Sequence, residues 1–443
     1  MQLQIQNINL IREANITLNG LTVLAGENDS GKSTVGKLLF AIIQAFKHYD
    51  KSLGEDKKIN IQERVENIYR LVRQIFLFDN APDLKIAFLP ANFFNDIIHI
   101  TDLTDAAYQA TAITTLFEKK IRQLHAAQSD TPHHIPSIIR EMEEFSAMLL
   151  LLLKNNSLAE QIEPALHKLL SSEFRFELLP NNAAEQKTVV SLSEGGNPIM
   201  NFTLGNHVIE HLEITDQLLF NDAFFIETPM ILQLYDVLHS TVPERGVDFG
   251  RRRLPFHLTD LITKLKNIQY VSETLTEAQE PLFAVLQNTR DLMQGGFSFD
   301  ESDQDFVFQR GETLKIKPLN TASGIKTFGI IQLLIHLGLL NSQSLLIIDE
   351  PETHLHPAWQ VEYARLMVAL VKHGIPVLLT SHSPYVIQAL KVEGEKEGIG
   401  DMINYYLAER NEDNTSTIHD VTDDLNRIFV KLSAPMQALV WNQ

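Results

Sequence analysis

The sequence contains no cysteine. That excludes disulfides and any thiolate metal centre, and it fits a reducing compartment. Long apolar runs are missing as well: the longest, Ala147–Leu153, is far short of the roughly 20 residues a membrane-spanning helix requires. The opening MQLQIQNINLIREANITL alternates polar and apolar residues like a strand and lacks the basic-then-apolar layout of a secretory signal. The expectation is a soluble, cytoplasmic chain without membrane contact. Basic residues are outnumbered, 37 Lys and Arg against 56 Asp and Glu, for a formal charge of −19. Such a surface does not suit nonspecific polyanion binding, because phosphate contacts need clustered cations. The best local exception is Arg251-Arg252-Arg253 with Lys264 and Lys266 on an expected helix, a candidate basic groove whose plainer reading is a solvated charged loop. Internal repeats and low-complexity segments are also absent.

What is present is 443 residues, 44% of them hydrophobic, enough for two domains or one large domain with an insertion. Within them Gly26–Thr34, GENDSGKST, fits G-x-x-x-x-G-K-[ST]. An apolar run, Leu21–Ala25, precedes it, and Val35, Leu38, Leu39, Ile42 and Ile43 follow at helical spacing. Strand, glycine loop and helix therefore come in the order a phosphate cradle needs. Backbone N–H groups of such a loop form an anion-binding concavity, and the helix N-terminus adds partial positive charge. Lys32, on a solvent-facing loop, is expected to reach the β- and γ-phosphates of ATP, and Ser33 to ligate Mg²⁺. Gly26, Asn28, Ser30, Gly31, Lys32, Ser33 and Thr34 form the expected nucleotide-binding set.

Two strands, Gln2–Ile8 and Ala14–Leu18, are expected ahead of that loop. From His48 to Ser172 the pattern is helical; Ile61, Val65, Ile68, Val72 and Ile75 step by four and three, one face of a bundle helix, and Pro132 and Pro136 rule out a continuous rod. Residues 173–227 turn to strands (FRFELL, KTVVSLSEGG, PIMNFTLG, HVIEHLEI and AFFI), with Glu227-Thr228-Pro229 as a strand terminus. Residues 230–294 are mostly helical, and three short strands lie in 297–317.

Residues 344–357 read SLLIIDEPETHLHP. The apolar run Leu345–Ile348 delivers Asp349 and Glu350 to the C-terminal edge of a buried strand, where open α/β sheets bind ligands. There Asp349 suits the Mg²⁺ shell and Glu350 suits orienting and deprotonating the attacking water. A further strand, Pro376–Leu379, ends at His382, placed to hydrogen-bond a γ-phosphate with Ser381 and Ser383 in support. His354, His356 and Glu352 form a possible metal cluster on paper, but their alternation better suits a dimer-contact loop.

GENDSGKS, LLIIDE, HLHP and TSHSP together resemble the Walker A, Walker B, D-loop and switch-histidine motifs of ABC-type ATPases of the RecF/SMC-like and OLD-like group, found in bacterial DNA repair and phage defence. The resemblance covers the first 45 residues and roughly 295–410. It implies an α/β fold, an ABC-type P-loop ATPase core with a mixed and parallel sheet flanked by helices, carrying a helical insertion and an additional β-rich segment. The expected division is 1–47 core, 48–172 insertion, 173–294 middle segment and 295–443 core. It also implies a signature motif acting in trans, for which NTASGIK at 320–326, before a helix from Ile325 to Leu340, is the candidate, with Ser323 and Gly324 toward the other subunit's γ-phosphate. The usual serine position falls on Ala322, Asp29 stands where many members have glycine, and no Q-loop glutamine is evident.

The implied function is ATP hydrolysis with Mg²⁺ by a sensor subunit that forms ATP-sandwich homodimers or higher oligomers. The stretch after TSHSP is too short for the Toprim nuclease of OLD-type enzymes, so the expected effector, a nuclease or toxin, belongs to another chain. The alternative is a RecF/SMC-like repair ATPase that binds DNA directly; a transporter subunit and a nonenzymatic nucleotide-gated scaffold are further readings.

Overall fold

The computed structural model describes residues 1–75, 82–101, 106–126, 135–153, 157–175, 187–205, 208–239, 254–266 and 282–441. The chain opens with β1 (Gln2–Ile8), β2 (Ile11–Thr17), β3 (Leu21–Gly26) and α1 (Lys32–Ile75). Four helices follow, α2 (Pro82–Phe88), α3 (Pro90–Thr101), α4 (Ala106–Ala126) and α5 (Ile135–Leu153), then α6 (Leu158–Phe174). Next come β4 (Thr188–Glu194), β5 (Asn197–Gly205), β6 (Val208–Ile214), β7 (Asp222–Ile226), α7 (Tyr235–His239), α8 (Phe256–Lys266) and α9 (Phe283–Met293). The chain continues through β8 (Gly296–Asp300), β9 (Asp305–Arg310), β10 (Leu314–Ile316), α10 (Ser323–His336), β11 (Ser344–Asp349) and α11 (Pro357–Lys372). It closes with β12 (Val377–Ser381), α12 (Pro384–Lys396), β13 (Ile403–Arg410), β14 (Ser416–Asp420) and α13 (Asn426–Trp441).

The fold is α/β, and the chain forms two compact units, 1–47 with 162–443, and 48–161. In the first, an 11-stranded sheet runs β6-β5-β4-β1-β2-β14-β13-β3-β12-β11-β7, and β8–β10 make a small separate sheet. The strands β13, β3, β12, β11 and β7 are mutually parallel. Every residue of β3 and of β12 is buried, as parallel strands covered on both faces require. The wing β6-β5-β4-β1-β2 is antiparallel, and β1 alternates buried and exposed positions.

The second unit has its own core. Ile61, Val65, Ile68 and Val72, the heptad positions of α1, are buried there with Phe88, Phe93, Phe117 and Phe145. Phe93, Phe117 and Phe145 meet at tilted or edge-on angles, ring centroids 5.4 to 6.4 Å apart. Lys120 is buried among them, its ammonium 4.3 Å from the centre of the Phe93 ring and 2.5 Å from the Ala87 carbonyl oxygen.

Three local expectations differ from the structure. FRFELL does not open as a strand: Phe174 closes α6, where Ile162, Leu166, Leu169 and Leu170 already form a buried helical stripe, and 176–179 lie outside the described residues. That stripe belongs with the first unit, so the insertion ends at Gln161 rather than at 172. Pro136 sits in the first turn of α5, where its missing N–H breaks no helical bond, in keeping with a helix that starts there; Pro132 lies outside the described residues. The third concerns charge. Lys264 is no surface cation but buried, 2.8 Å from Asp222 and 2.6 Å from Asp260; Arg251–Arg253 lie outside the described residues.

Candidate active site

Strand register builds the site. Ala25 pairs with Ser381, Thr380 with Asp349, and Ile348 with Ile226, so β3, β12, β11 and β7 end at one level. That common edge receives the glycine loop, the Ser381–Ser383 turn, the Asp349–Glu350 pair and Glu227.

The glycine loop turns through backbone that side chains resist. Gly26 has φ +153°, and a Cβ there would lie 2.7 Å from the Ala408 carbonyl oxygen; Gly31 has φ +86°. Asp29 adopts φ +59°, a left-handed conformation that Asp tolerates, and its carboxylate is paired with Arg410. The Ser30 hydroxyl donates to the Glu27 carbonyl at 2.8 Å. A cavity of about 320 Å³ lies over the loop, lined by Asn28–Thr34, by Glu350, and by Asn9 and Leu10 from the β1–β2 turn. Asn9 and Leu10 carry no motif, and sequence reasoning missed them.

Lys32 is not the solvent-facing residue expected. It is only 3% exposed. Its ammonium donates to the carbonyls of Gly26 at 3.1 Å and Glu27 at 2.7 Å, and lies 3.3 Å from Glu350 Oε1. A buried ammonium is costly unless paired, and the loop wraps it with acceptors.

Ser33 donates to Asp349 Oδ1 at 2.9 Å, and the Thr380 hydroxyl donates to the same oxygen at 2.6 Å. Burial pushes the Asp349 carboxyl above the usual carboxylate range, against those two hydrogen bonds. A hydroxyl and a carboxylate are hard oxygen donors, so the set suits Mg²⁺. Glu350 sits in the left-handed region, φ +44° and ψ +56°, a strained conformation for a residue with a side chain. Its N–H is held by the Thr380 carbonyl and hydroxyl, at 3.2 and 3.0 Å.

His382 closes the constellation. Its Nδ1 lies 3.5 Å from Glu350 Oε2 and 3.4 Å from Glu352 Oε1. Ser383 caps α12, its hydroxyl accepting from the Val386 N–H. Glu352 points inward to this turn, and His356 Nδ1 caps α11 by accepting from the Ala358 N–H. Among the described residues, no His, Cys, Asp and Glu cluster of metal-binding geometry forms.

Ser323 and Gly324 open α10, but neither lines the cavity. A Cβ on Gly324 would meet the His354 carbonyl and Leu355 at 3.3 Å, so this helix start packs on the turn after the acidic pair. Ala322 occupies the N-cap without a side-chain hydrogen bond.

Glu227, expected as a strand terminus with a contact as the alternative, serves as both. Beyond ending β7, it lies 3.4 Å from Lys37 and 3.1 Å from His257 Nε2. Glu173 takes the other ring nitrogen at 2.7 Å and the His257 N–H at 2.9 Å. The hydrogen bond from His257, followed by Lys37, holds the Glu227 carboxyl at about 2 despite partial burial. A signal existed in AFFIE, an apolar strand ending in an acid as LLIID does.

With this geometry in place, similarity to known proteins can be set beside it. The family described as AAA ATPase domain matches residues 1–387. The chain is 40% identical over 53 residues to the Septu protein PtuA of Bacillus thuringiensis, a stretch of 11% of this chain and 12% of that protein. It thus spans about an eighth of that relative's length in the match. Solved structures with a similar course include the SMC head domain from Thermotoga maritima, with TM-score 0.39 and 10% identity over 95% of this chain and 98% of that one. Another is the Smc head bound to the C-terminal winged-helix domain of ScpA, with TM-score 0.39 and 7% identity over 96% and 98%.

Proposed function

The chain belongs to the AAA ATPase domain family, and from that premise we propose that it is the ATP-hydrolysing sensor subunit of a bacterial defence-type system, closing as an ATP-sandwich dimer and controlling a separate effector protein. The observation that carries the catalytic part is the position of Glu350, within 3.5 Å of both Lys32 and His382. One carboxylate thereby faces the cation for the phosphates and the imidazole for the γ-phosphate.

In this reading Lys32 leaves its carbonyl partners for the β- and γ-phosphates, and the glycine-loop N–H groups hold the rest of the chain of phosphates. Ser33 and Asp349 would hold Mg²⁺, which would supply charge neutralisation at the phosphate oxygens. Glu350 orients a water and takes its proton, and His382 donates a hydrogen bond to the γ-phosphate. Ser323 and the first turn of α10 complete the site of the opposite subunit.

The regulatory part rests on two supports. DEPETHLHPAWQ and TSHSP resemble OLD-like ATPases, and the short match to Septu protein PtuA points the same way. Direct DNA binding through a basic groove has less behind it, since Lys264 is engaged with Asp222 and Asp260. Single-turnover hydrolysis with Mg²⁺ and sizing with and without ATP test the proposal. Release of phosphate with ATP-dependent dimerisation is expected; nucleotide binding without turnover would leave a gated scaffold instead.

A further inference from the structure

Glu352 follows the acidic pair by two positions, on the 3-10 turn Pro351–His354, and is only 5% exposed. Among the described residues, its buried carboxylate pairs with no lysine or arginine. One oxygen, Oε1, accepts from the Ser381 hydroxyl at 2.7 Å, the His382 N–H at 2.6 Å and the Ser383 N–H at 3.2 Å. The same oxygen lies 3.4 Å from His382 Nδ1. The other, Oε2, is buried without a hydrogen-bond partner among the described residues. A carboxylate is expensive to bury, and three donors converging on one of its oxygens offset that cost.

We infer that Glu352 is the positioning residue for His382, clamping the turn after β12 to the turn after β11 so that the imidazole and Glu350 face the nucleotide as one unit. The clamp has a second layer. The Ser383 hydroxyl donates to Gln360 Oε1 at 2.5 Å, and Gln360 Nε2 donates to the Leu355 carbonyl at 3.0 Å. Both turns are thus tied twice, through Glu352 directly and through Gln360 on α11. The imidazole itself has no hydrogen bond at Nδ1 among the described residues. Its direction is therefore set through its backbone, and Glu352 holds that backbone.

The inference rests on His382 serving hydrolysis, and the test separates the two ideas. Steady-state kcat and KM, with equilibrium binding of a fluorescent ATP analogue, are measured for wild type, His382→Ala, Glu352→Ala, Glu352→Gln and Glu352→Ala/His382→Ala. Glu352→Ala is expected to lower kcat by about 10–100-fold, the scale of a misplaced catalytic group, with analogue affinity within about threefold. Glu352→Gln keeps an oxygen for the three donors and should recover most of kcat. Adding Glu352→Ala to His382→Ala should cost nothing more, because both act through one imidazole. If Glu352→Ala does not fold, Ser381→Ala, which removes one donor to Oε1, replaces it and should lower kcat in the same direction. A wild-type kcat in Glu352→Ala or its replacement, or the full loss persisting in the His382→Ala background, overturns the inference. Wild-type turnover in His382→Ala instead overturns the role given to the histidine.

Discussion

Lys32 Nζ lies 3.3 Å from Glu350 Oε1, so the cation proposed to bind phosphate and the carboxylate proposed to activate water are paired with each other. In that proposal nucleotide separates them. Lys32→Ala removes the cation and leaves Glu350 partly exposed to water, a tolerable position for a lone carboxylate. The variant should fold, lose measurable ATP binding, and hydrolyse at least about 10²-fold more slowly. Circular dichroism with analogue binding checks this; wild-type turnover in a folded variant refutes the assignment of the loop.

Glu350→Gln keeps shape and removes both the base and the charge that holds Lys32. Binding should be as tight as wild type or tighter, and turnover should fall by about 10²–10⁴. An ATP-bound dimer should accumulate, visible as a shift in light-scattering mass on addition of ATP. An unchanged mass would remove the support for a sandwich.

Ser323→Arg places a bulky cation at the start of α10, where Gly324 already packs on the His354 carbonyl. Nucleotide should still bind, and closure should fail. Mixed with Lys32→Ala subunits, it should regain hydrolysis at one composite site, built from the intact Lys32 of one subunit and the intact Ser323 of the other. Normal turnover by Ser323→Arg alone would show that residues 320–326 are not the trans-acting element.

His257 offers a pH-dependent test of stability. Burial alone would lower its pKa, but the hydrogen bonds its ring donates to Glu173 and Glu227 outweigh it, so the folded value lies above the ordinary 6.5. A raised value means that the contribution is complete below pH 6.5 and fades as pH rises through the folded value. Glu173→Gln removes a charge-assisted bond and should cost on the order of 2 kcal/mol at pH 6. Urea unfolding at pH 6 and pH 9 should show the deficit shrinking at the higher pH. A deficit that grows with pH would mean that the histidine is buried neutral.

GENDSGKST was legible because its geometry closes on itself: the bonds from Ser30 to Glu27 and from Lys32 to Gly26 span six residues or fewer. Asp349 and Glu350 were legible for a similar reason, an apolar strand of the right length delivering acids to its end. The heptad on α1 announced a buried stripe by spacing alone. Lys264 misled because a lysine near a helix end reads as solvent-facing, whereas it is buried between Asp260 one turn back and Asp222, 42 residues away.

By itself, then, the sequence determined what is written within one turn or one strand: the glycine loop, the acidic pair, the buried stripes and the family to which they point. Tertiary structure alone decided which of those pieces meet. Ser33 reaches Asp349 across 316 residues, Glu173 reaches His257 across 84, and Glu352 reaches Ser381 across 29, all through strand register and helix packing. The physical reason is that backbone periodicity constrains near neighbours along the chain, whereas a buried charge takes the partner that the sheet edge brings to it.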